Sequence, residues 1–287
     1  MDRGRVNWTL TPDQFALAWS RTDGDRIPYP LAVRLSARDT DERAAQLPAL
    51  DSWCDRVLDA DLEAALRVLA RPDLCIEVFG QRDPALAPPE PDAGAENRPP
   101  APRHPSAAER NPAAGATERP VRILGAVTGD IAVVAAQRPS ERPDRGGDVR
   151  LFAGSSRHVC ARVISMLPEN IPGTIPRLTA PLAQVGIDSR SLVTVPVAGP
   201  STPARIRKLL KQRRDGIGQI VVSARHSMDE LRPFGALCWI DVVADGRYTV
   251  RTGTDVDILA VNAEHFAAQL RPLVTAAART ATAYSRH

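Results

Sequence analysis

The chain carries one order of elements twice. In the first copy Leu62-Glu63-Ala64-Ala65-Leu66 reads as helix, Arg71-Pro72 breaks it, and Cys75-Ile76-Glu77-Val78 reads as strand. A hairpin from Val121 to Gln137 turns at Gly129-Asp130, and a last strand, Val149 to Ala153, runs into a helix with His158 near its start. In the second copy Ile206 to Leu210 is helical, Gly216 and Gly218 break it, and Gln219 to Ala224 is a strand. Leu237 to Arg251 is a hairpin turning at Asp245-Gly246, and Val256 to Val261 leads into a helix with His265 near its start. Leu62, Leu66, Ile76 and Val78 match Ile206, Leu210, Ile220 and Val222 at one constant offset. Leu151, Ala153, His158, Ala161 and Met166 match Ile258, Ala260, His265, Ala268 and Leu273 at another. The offsets differ because the first copy holds two insertions, from about Gln81 to Pro120 and from Arg138 to Gly147. A unit this long, present only twice, is not a solenoid repeat. It predicts a two-fold α+β scaffold, with residues 1–154 as one half and 155–287 as the other, the two forming one globular domain. Such a scaffold needs no catalytic residues.

Outside the repeat, Asn7-Trp8-Thr9-Leu10 reads as a short strand. Thr11-Pro12-Asp13-Gln14 has the form of a capping box with proline at the first helical position, where no amide is left orphaned. Phe15, Ala18 and Trp19 are the expected buried stripe of that helix. Leu31 to Leu35 alternates as a strand does. Asp41 to Leu58 reads as a helix interrupted near Pro48, and Asp61 as the cap of the helix Leu62 to Ala70. Ten prolines fall between Pro84 and Pro120 with no apolar period, so the insertion 81–120 cannot bury enough surface to offset its ordering entropy and is expected to be disordered. Ser155 or Ser156 caps a helix expected to reach Leu167. Pro168 to Pro200 reads as short helices and loops, Thr202-Pro203 starts a helix reaching about Arg214, and Thr275 to His287 reads as a fraying tail.

The apolar fraction of 43% is that of a globular protein, and no apolar run approaches the ~18 residues that span a bilayer. No apolar stretch of a secretory signal follows Met1-Asp2-Arg3-Gly4-Arg5. The expectation is a soluble cytoplasmic protein with no membrane insertion. Cys54, Cys75, Cys160 and Cys238 are scattered with no Cys-x-x-Cys pair, so reduced, buried thiols are expected. A net charge of +3 is too small to point to a polyanion.

A search for chemistry returns little. His104 and His287 lie in the proline-rich insertion and at the terminus; His226 follows a strand in a loop. His158 and His265 occupy equivalent places in the two copies, which favours a structural role. No serine sits in a Gly-x-Ser-x-Gly elbow. Gly216-Ile217-Gly218 precedes a strand instead of joining strand to helix, so it is no phosphate loop. Asp130 and Asp245 read as turn residues, and no carboxylate pair for acid–base work is identifiable. We expect no enzyme activity, catalytic residue, cofactor or metal. Arg205, Arg207, Lys208, Lys211, Arg213 and Arg214 form the one notable charge cluster. It supports an alternative reading as a nucleic-acid-binding or regulatory protein, although no aromatic accompanies it for stacking.

Several segments together resemble the EspG family of type VII (ESX) secretion-associated proteins. They are Thr11-Pro12-Asp13-Gln14-Phe15 with Pro28-Tyr29-Pro30-Leu31-Ala32-Val33, then Asp61 through Pro72 leading into Ile76-Glu77-Val78, then Gly216-Ile217-Gly218-Gln219-Ile220 with Asp241 and Asp245-Gly246-Arg247-Tyr248. Order and spacing carry the resemblance, which spans nearly the whole chain except the insertion. It implies a central antiparallel sheet with flanking helical bundles and a quasi-two-fold relation between halves. It also implies a cytoplasmic chaperone that holds PE–PPE heterodimers soluble and export-competent, gripping their helical tip against the sheet and the C-terminal bundle. No nucleic-acid partner is implied, and a monomer and a dimer both remain open. The candidate contact residues are Ile171, Ile175, Leu178, Leu182, Val185, Ile187, Arg205, Ile206 and Leu209. Most are apolar, in a stretch that proline keeps from forming a long helix.

Overall fold

In the computed structural model, which describes residues 6–22, 24, 26–83, 85–86, 118–140, 145–186, 200–227 and 230–284, the strands form one antiparallel sheet. The first half supplies β1 (Val6–Leu10), β2 (Leu74–Arg82), β3 (Arg119–Thr128), β4 (Ile131–Pro139) and β5 (Gly146–Ser155). The second supplies β6 (Leu178–Pro181), β7 (Arg214–Ser227), β8 (Glu230–Val242), β9 (Gly246–Thr252) and β10 (Asp255–Ala260). Their order is β1-β5-β4-β3-β2-β7-β8-β9-β10-β6. Counted outward from the β2–β7 seam, each half runs through its own strands in the same sequence. The seam pairs Leu74 with Ala224 at one end and Arg82 with Gly216 at the other. Ile76 and Val78 are equivalent to Ile220 and Val222, so the pair that maps onto itself is Glu77 and Val221, which lie directly opposite each other. The pseudo-dyad crosses the sheet there.

The helices obey the same dyad. They are α1 (Pro12–Thr22), α2 (Thr40–Val57), α3 (Ala60–Ala70), α4 (Val159–Ile164), α5 (Leu182–Gly186), α6 (Thr202–Leu210) and α7 (Ala263–Tyr284). Helix α3 precedes β2 as α6 precedes β7, and α4 follows β5 as α7 follows β10. On one face α4 and α7 cover a core that includes Ile76, Val78, Ile123, Val134, Ile220, Val222, Leu237 and Trp239. On the other face Phe15 and Trp19 of α1 and Leu62, Leu66 and Leu69 of α3 cover the first half, against Leu124, Val133 and Leu151. Ile206 and Leu209 of α6 cover the second half, against Ile240, Val242, Tyr248 and Ile258. The period-two alternation of each strand divides its side chains between these faces.

The seam also needs two glycines. Gly80 and Gly218 are paired across it, and Gly218 faces Trp239 on β8. A Cβ on Gly218 would lie 2.1 Å from the Trp239 ring and 2.7 Å from the Phe79 carbonyl oxygen; one on Gly80 would lie 2.6 Å from the Ile217 carbonyl oxygen. The indole therefore lies across both glycines and packs against Phe266 of α7, with ring centroids 6.3 Å apart.

A buried ion pair fixes the far end of β8 and β9. Arg247 donates from Nε and Nη2 to the two oxygens of Asp241 at 2.7 Å each, and the side chains are only 6% and 2% exposed. Nη2 of Arg247 also donates to the Pro168 carbonyl at 2.8 Å, while its backbone N–H donates to the Ile171 carbonyl at 2.8 Å. Thr174 donates from its backbone and hydroxyl to Asp245, and the Ile175 N–H donates to the Tyr248 hydroxyl at 3.0 Å. The connection from α4 to β6 is thus strapped around the β8–β9 turn.

Much of the sequence reading stands. The capping box is present: the Thr11 N–H donates to Gln14 Oε1 at 2.9 Å, and the Gln14 N–H to Thr11 Oγ1 at 3.3 Å. Other expectations need correction. Gly216 and Gly218 lie inside β7 instead of ending a helix, because α6 already stops at Leu210. Leu31 to Leu35 is no strand: Ala32 bonds the Gln137 side chain and the Gly146 N–H instead of a ladder. Helix α2 runs through Pro48 without a break, although a proline there has no N–H to donate and crowds the Ala44 carbonyl. Asp59, not Asp61, caps α3, accepting from the Leu62 N–H at 2.8 Å. Helix α4 ends at Ile164, where i→i+3 bonds tighten the chain, and neither Ser155 nor Ser156 is shown capping it. The β8–β9 turn spans three residues, with Ala244 at positive φ, so Asp245 is not half of a two-residue turn. Helix α7 continues to Tyr284 because Ala277 and Ala281 remain on its buried stripe. The insertion is shorter than 81–120, as Gln81 and Arg82 pair with Pro120 and Arg119; the expectation of disorder falls largely on 84 and 87–117, outside the described residues.

Gly218→Ala is expected to cost roughly 1–3 kcal/mol of unfolding free energy, because the new methyl meets both an indole and a carbonyl that have no room to retreat. Denaturant titration would measure it. Asp241→Asn is expected to cost about 3–5 kcal/mol by leaving a buried guanidinium uncompensated, whereas Asp241→Leu combined with Arg247→Met should recover most of that loss.

Candidate functional site

Among the described residues, the two helical layers on the second face leave the middle of the sheet open between them. Across β2, β7, β8 and β9 the side chains on that face fall in rows set by the register. One row is Phe79, Gln219, Cys238 and Val250, and the next toward the dyad is Glu77, Val221 and Ala236. Ile217 stands on the other side and is 43% exposed. The groove over these strands has a volume of about 450 Å³ and is bordered by Leu210 and Arg214, where α6 gives way to β7. On its other bank Tyr29 leans on Phe79, with ring centroids 6.0 Å apart. The floor is mostly apolar. In solution that is costly unless something covers it.

Charge beside this floor is sparse. Glu77 is half-buried, and burial pushes its carboxyl above the usual range. Burial likewise raises the Tyr29 phenol, with the Glu77 charge adding to it, and lowers the Arg122 guanidinium beside Phe79. No hydrogen bond or ion pair reaches the Glu77 carboxylate from any described residue. Cys238 is exposed on the floor, contrary to the expectation that all four thiols are buried; Cys54, Cys75 and Cys160 are buried. None of the described helices lies over its row. Burial pushes the Cys75 thiol up to about 12 and the Cys160 thiol up to about 11.

Other clusters of polar groups among the described residues lie apart from the groove. A larger cavity of about 580 Å³ lies beside α7, lined by Leu74, Val127, Val159 and Val274 with Arg157 and Arg279. It has no carboxylate, histidine or thiol in its lining. Asp215 and Asp241 come close enough for the Asp241 charge to raise Asp215, after burial itself. Both are buried, however, and Arg247 occupies both Asp241 oxygens. Among the described residues no cluster of His, Cys, Asp and Glu is placed to hold a metal. His158 and His265 do stand at equivalent helix starts, yet both are exposed, so neither braces the core; His226 lies within β7 and not in a loop.

The sequence-derived contact residues are dispersed. Leu178, Ile206 and Leu209 are buried in the core beneath α6 and offer no surface, and Ile175 and Val185 are partly buried against it. Ile171 is 66% exposed and Leu182 42% exposed, Arg205 is exposed, and Ile187 lies outside the described residues. Phe79, Ile217, Cys238 and Val250 were missed. Their signal lies in β2 and β8, which are apolar at successive positions and so imply two apolar faces.

A family model described as the EspG family matches residues 11–271. A search among curated proteins finds no match. Among solved structures, the Mycobacterium tuberculosis type VII secretion system chaperone EspG5, in complex with the PE25-PPE41 dimer, aligns with a TM-score of 0.55 at 15% identity. The alignment covers 95% of this chain and 96% of that one. The fold, down to the sheet flanked by helices, is shared.

Glu77→Gln is expected to melt at a higher temperature than the parent chain at pH 7. Because the folded pKa of Glu77 lies above its unfolded value, its penalty is absent below the unfolded pKa of ~4.3 and grows as pH rises through the folded one. The gap in melting temperature should therefore close as pH falls toward 4.

Proposed function

Because the chain belongs to the EspG family, we propose that it acts as a cytoplasmic chaperone of a type VII secretion system. In this reading it binds a PE–PPE-like heterodimer by its helical tip and holds it soluble and export-competent. The observation that carries the reading is the open apolar groove over β2, β7, β8 and β9, bordered by the end of α6. A helix tip is apolar and self-associating when bare; seated in this groove it removes two apolar surfaces from water at once. The chemistry required is shape, apolar contact and a few polar groups, and the groove's lining supplies Gln81, Gln219 and Arg214. That a distant structural relative was solved with a PE–PPE dimer supports the choice of partner. No helix among the described residues is long and apolar enough to cross a membrane.

The nucleic-acid alternative loses its footprint. Arg205, Arg207 and Lys208 lie on α6, Lys211 and Arg213 follow its end, and Arg214 opens β7. The cluster is therefore not one helix face. Arg207 donates to the Gln184 carbonyl at 3.2 Å, and Arg214 bonds the Leu210 carbonyl, so two of the six act within the fold.

Co-expression with each PE–PPE pair of the same genome should yield one pair that becomes soluble and co-purifies at 1:1. In that complex, alkylation of Cys238 should be strongly slowed, and Ile217→Asp should abolish capture without changing the melting temperature by more than a few degrees. Capture of no pair would sink the chaperone reading. Capture with Cys238 still fully reactive would move the site away from the groove.

A further inference from the structure

Glu77 stands on the pseudo-dyad, in the row beside the groove's Phe79 and Gln219 and on the same face, and neither row holds another acid. Its symmetry mate, directly opposite in the seam, is Val221. One side of Glu77 is walled by Leu124, buried beneath α3, and its row continues through Val221 to Ala236. A valine would suit this position as it does the equivalent one. Instead there is a half-buried carboxylate with no described partner. Water satisfies its exposed side while the groove is empty, but a seated partner removes that water.

Building on the chaperone reading above, we propose that Glu77 is the specificity-determining residue of the groove, selecting a partner helix tip that brings an arginine or lysine to the dyad. An entirely apolar tip would strand the carboxylate in a dry interface, which disfavours it strongly. A neutral donor would satisfy one lone pair but not the charge. A cationic side chain does both, through a charge-assisted hydrogen bond. Arg122 lies in the adjacent row opposite Phe79, and burial, not a neighbouring cation, is what acts on the Glu77 carboxyl. The groove thus grips through its apolar rows and discriminates through one carboxylate.

The test uses the full chain and the PE–PPE pair that co-purifies with it. Glu77→Val copies the residue at position 221 and leaves the sheet geometry intact. It is expected to weaken binding of that pair by about 10- to 100-fold in calorimetric titration. Replacing the arginine or lysine at the partner's tip by methionine should cost about as much. The two changes together should cost little more than either alone. Glu77→Gln, which keeps the size and removes the charge, should fall between the parent and the valine variant. If the pair still binds, still shields Cys238, and Glu77→Val shifts Kd by less than about twofold, the selection role is overturned while the chaperone reading stands. Additive losses with every basic residue of the tip would overturn it as well. If the parent chain captures no pair at all, both fall together.

Discussion

The backbone pairing of β2 with β7 is the contact on which the remaining structure depends. It runs without a register shift from Leu74 to Arg82, and it alone joins the two half-sheets edge to edge. The core beneath α4 and α7 straddles this seam, drawing Ile76 and Val78 from one side and Ile220 and Val222 from the other. Neither half could bury that face alone. Gly80 and Gly218 matter for the same reason: they let Trp239 reach across the seam to Phe266 and clamp α7 over both halves.

The duplication was legible because it rests on burial, and burial follows period. Leu62, Ile76 and Val78 and their mates Ile206, Ile220 and Val222 all lie in the core, and Ala161 and Ala268 are both exposed. Element ends were less legible because they depend on single contacts. Asp59 and Asp61 are equally good caps on paper, and only the distance to the Leu62 N–H decides between them. The buried Asp241–Arg247 pair was invisible, because a strand pattern does not say that two charges six residues apart meet across a hairpin. The groove was half legible. Its strands follow from their period, but the apolar residues of 171–187 and of α6 carry the same pattern whether they face a partner or a core. Several of those serve as core because β6 and α6 close the second half of the sheet. A surface left open by the absence of a helix can be read only once every helix has been placed.

The halves share a topology but not a cover. Among the described residues, three helices shield the outer face of the first half, while the second has α6 and the short α5. The groove follows from this inequality: it lies on the side where the helical cover is thinner, against the end of α6. A symmetric scaffold therefore presents an asymmetric surface without any break in its sheet.

The dyad has a consequence for how such a chain could have arisen. Detached from the second half, the first would bare the whole edge of β2, an open template for another strand. Another copy of itself, pairing in the same register, would set Glu77 against Glu77. Like charges directly opposite on one face destabilise a strand pair. The present chain sets Val221 there instead. With two unlike halves in one chain, the residue on the axis need not be its own neighbour, so that one position can carry a charge without opposing itself.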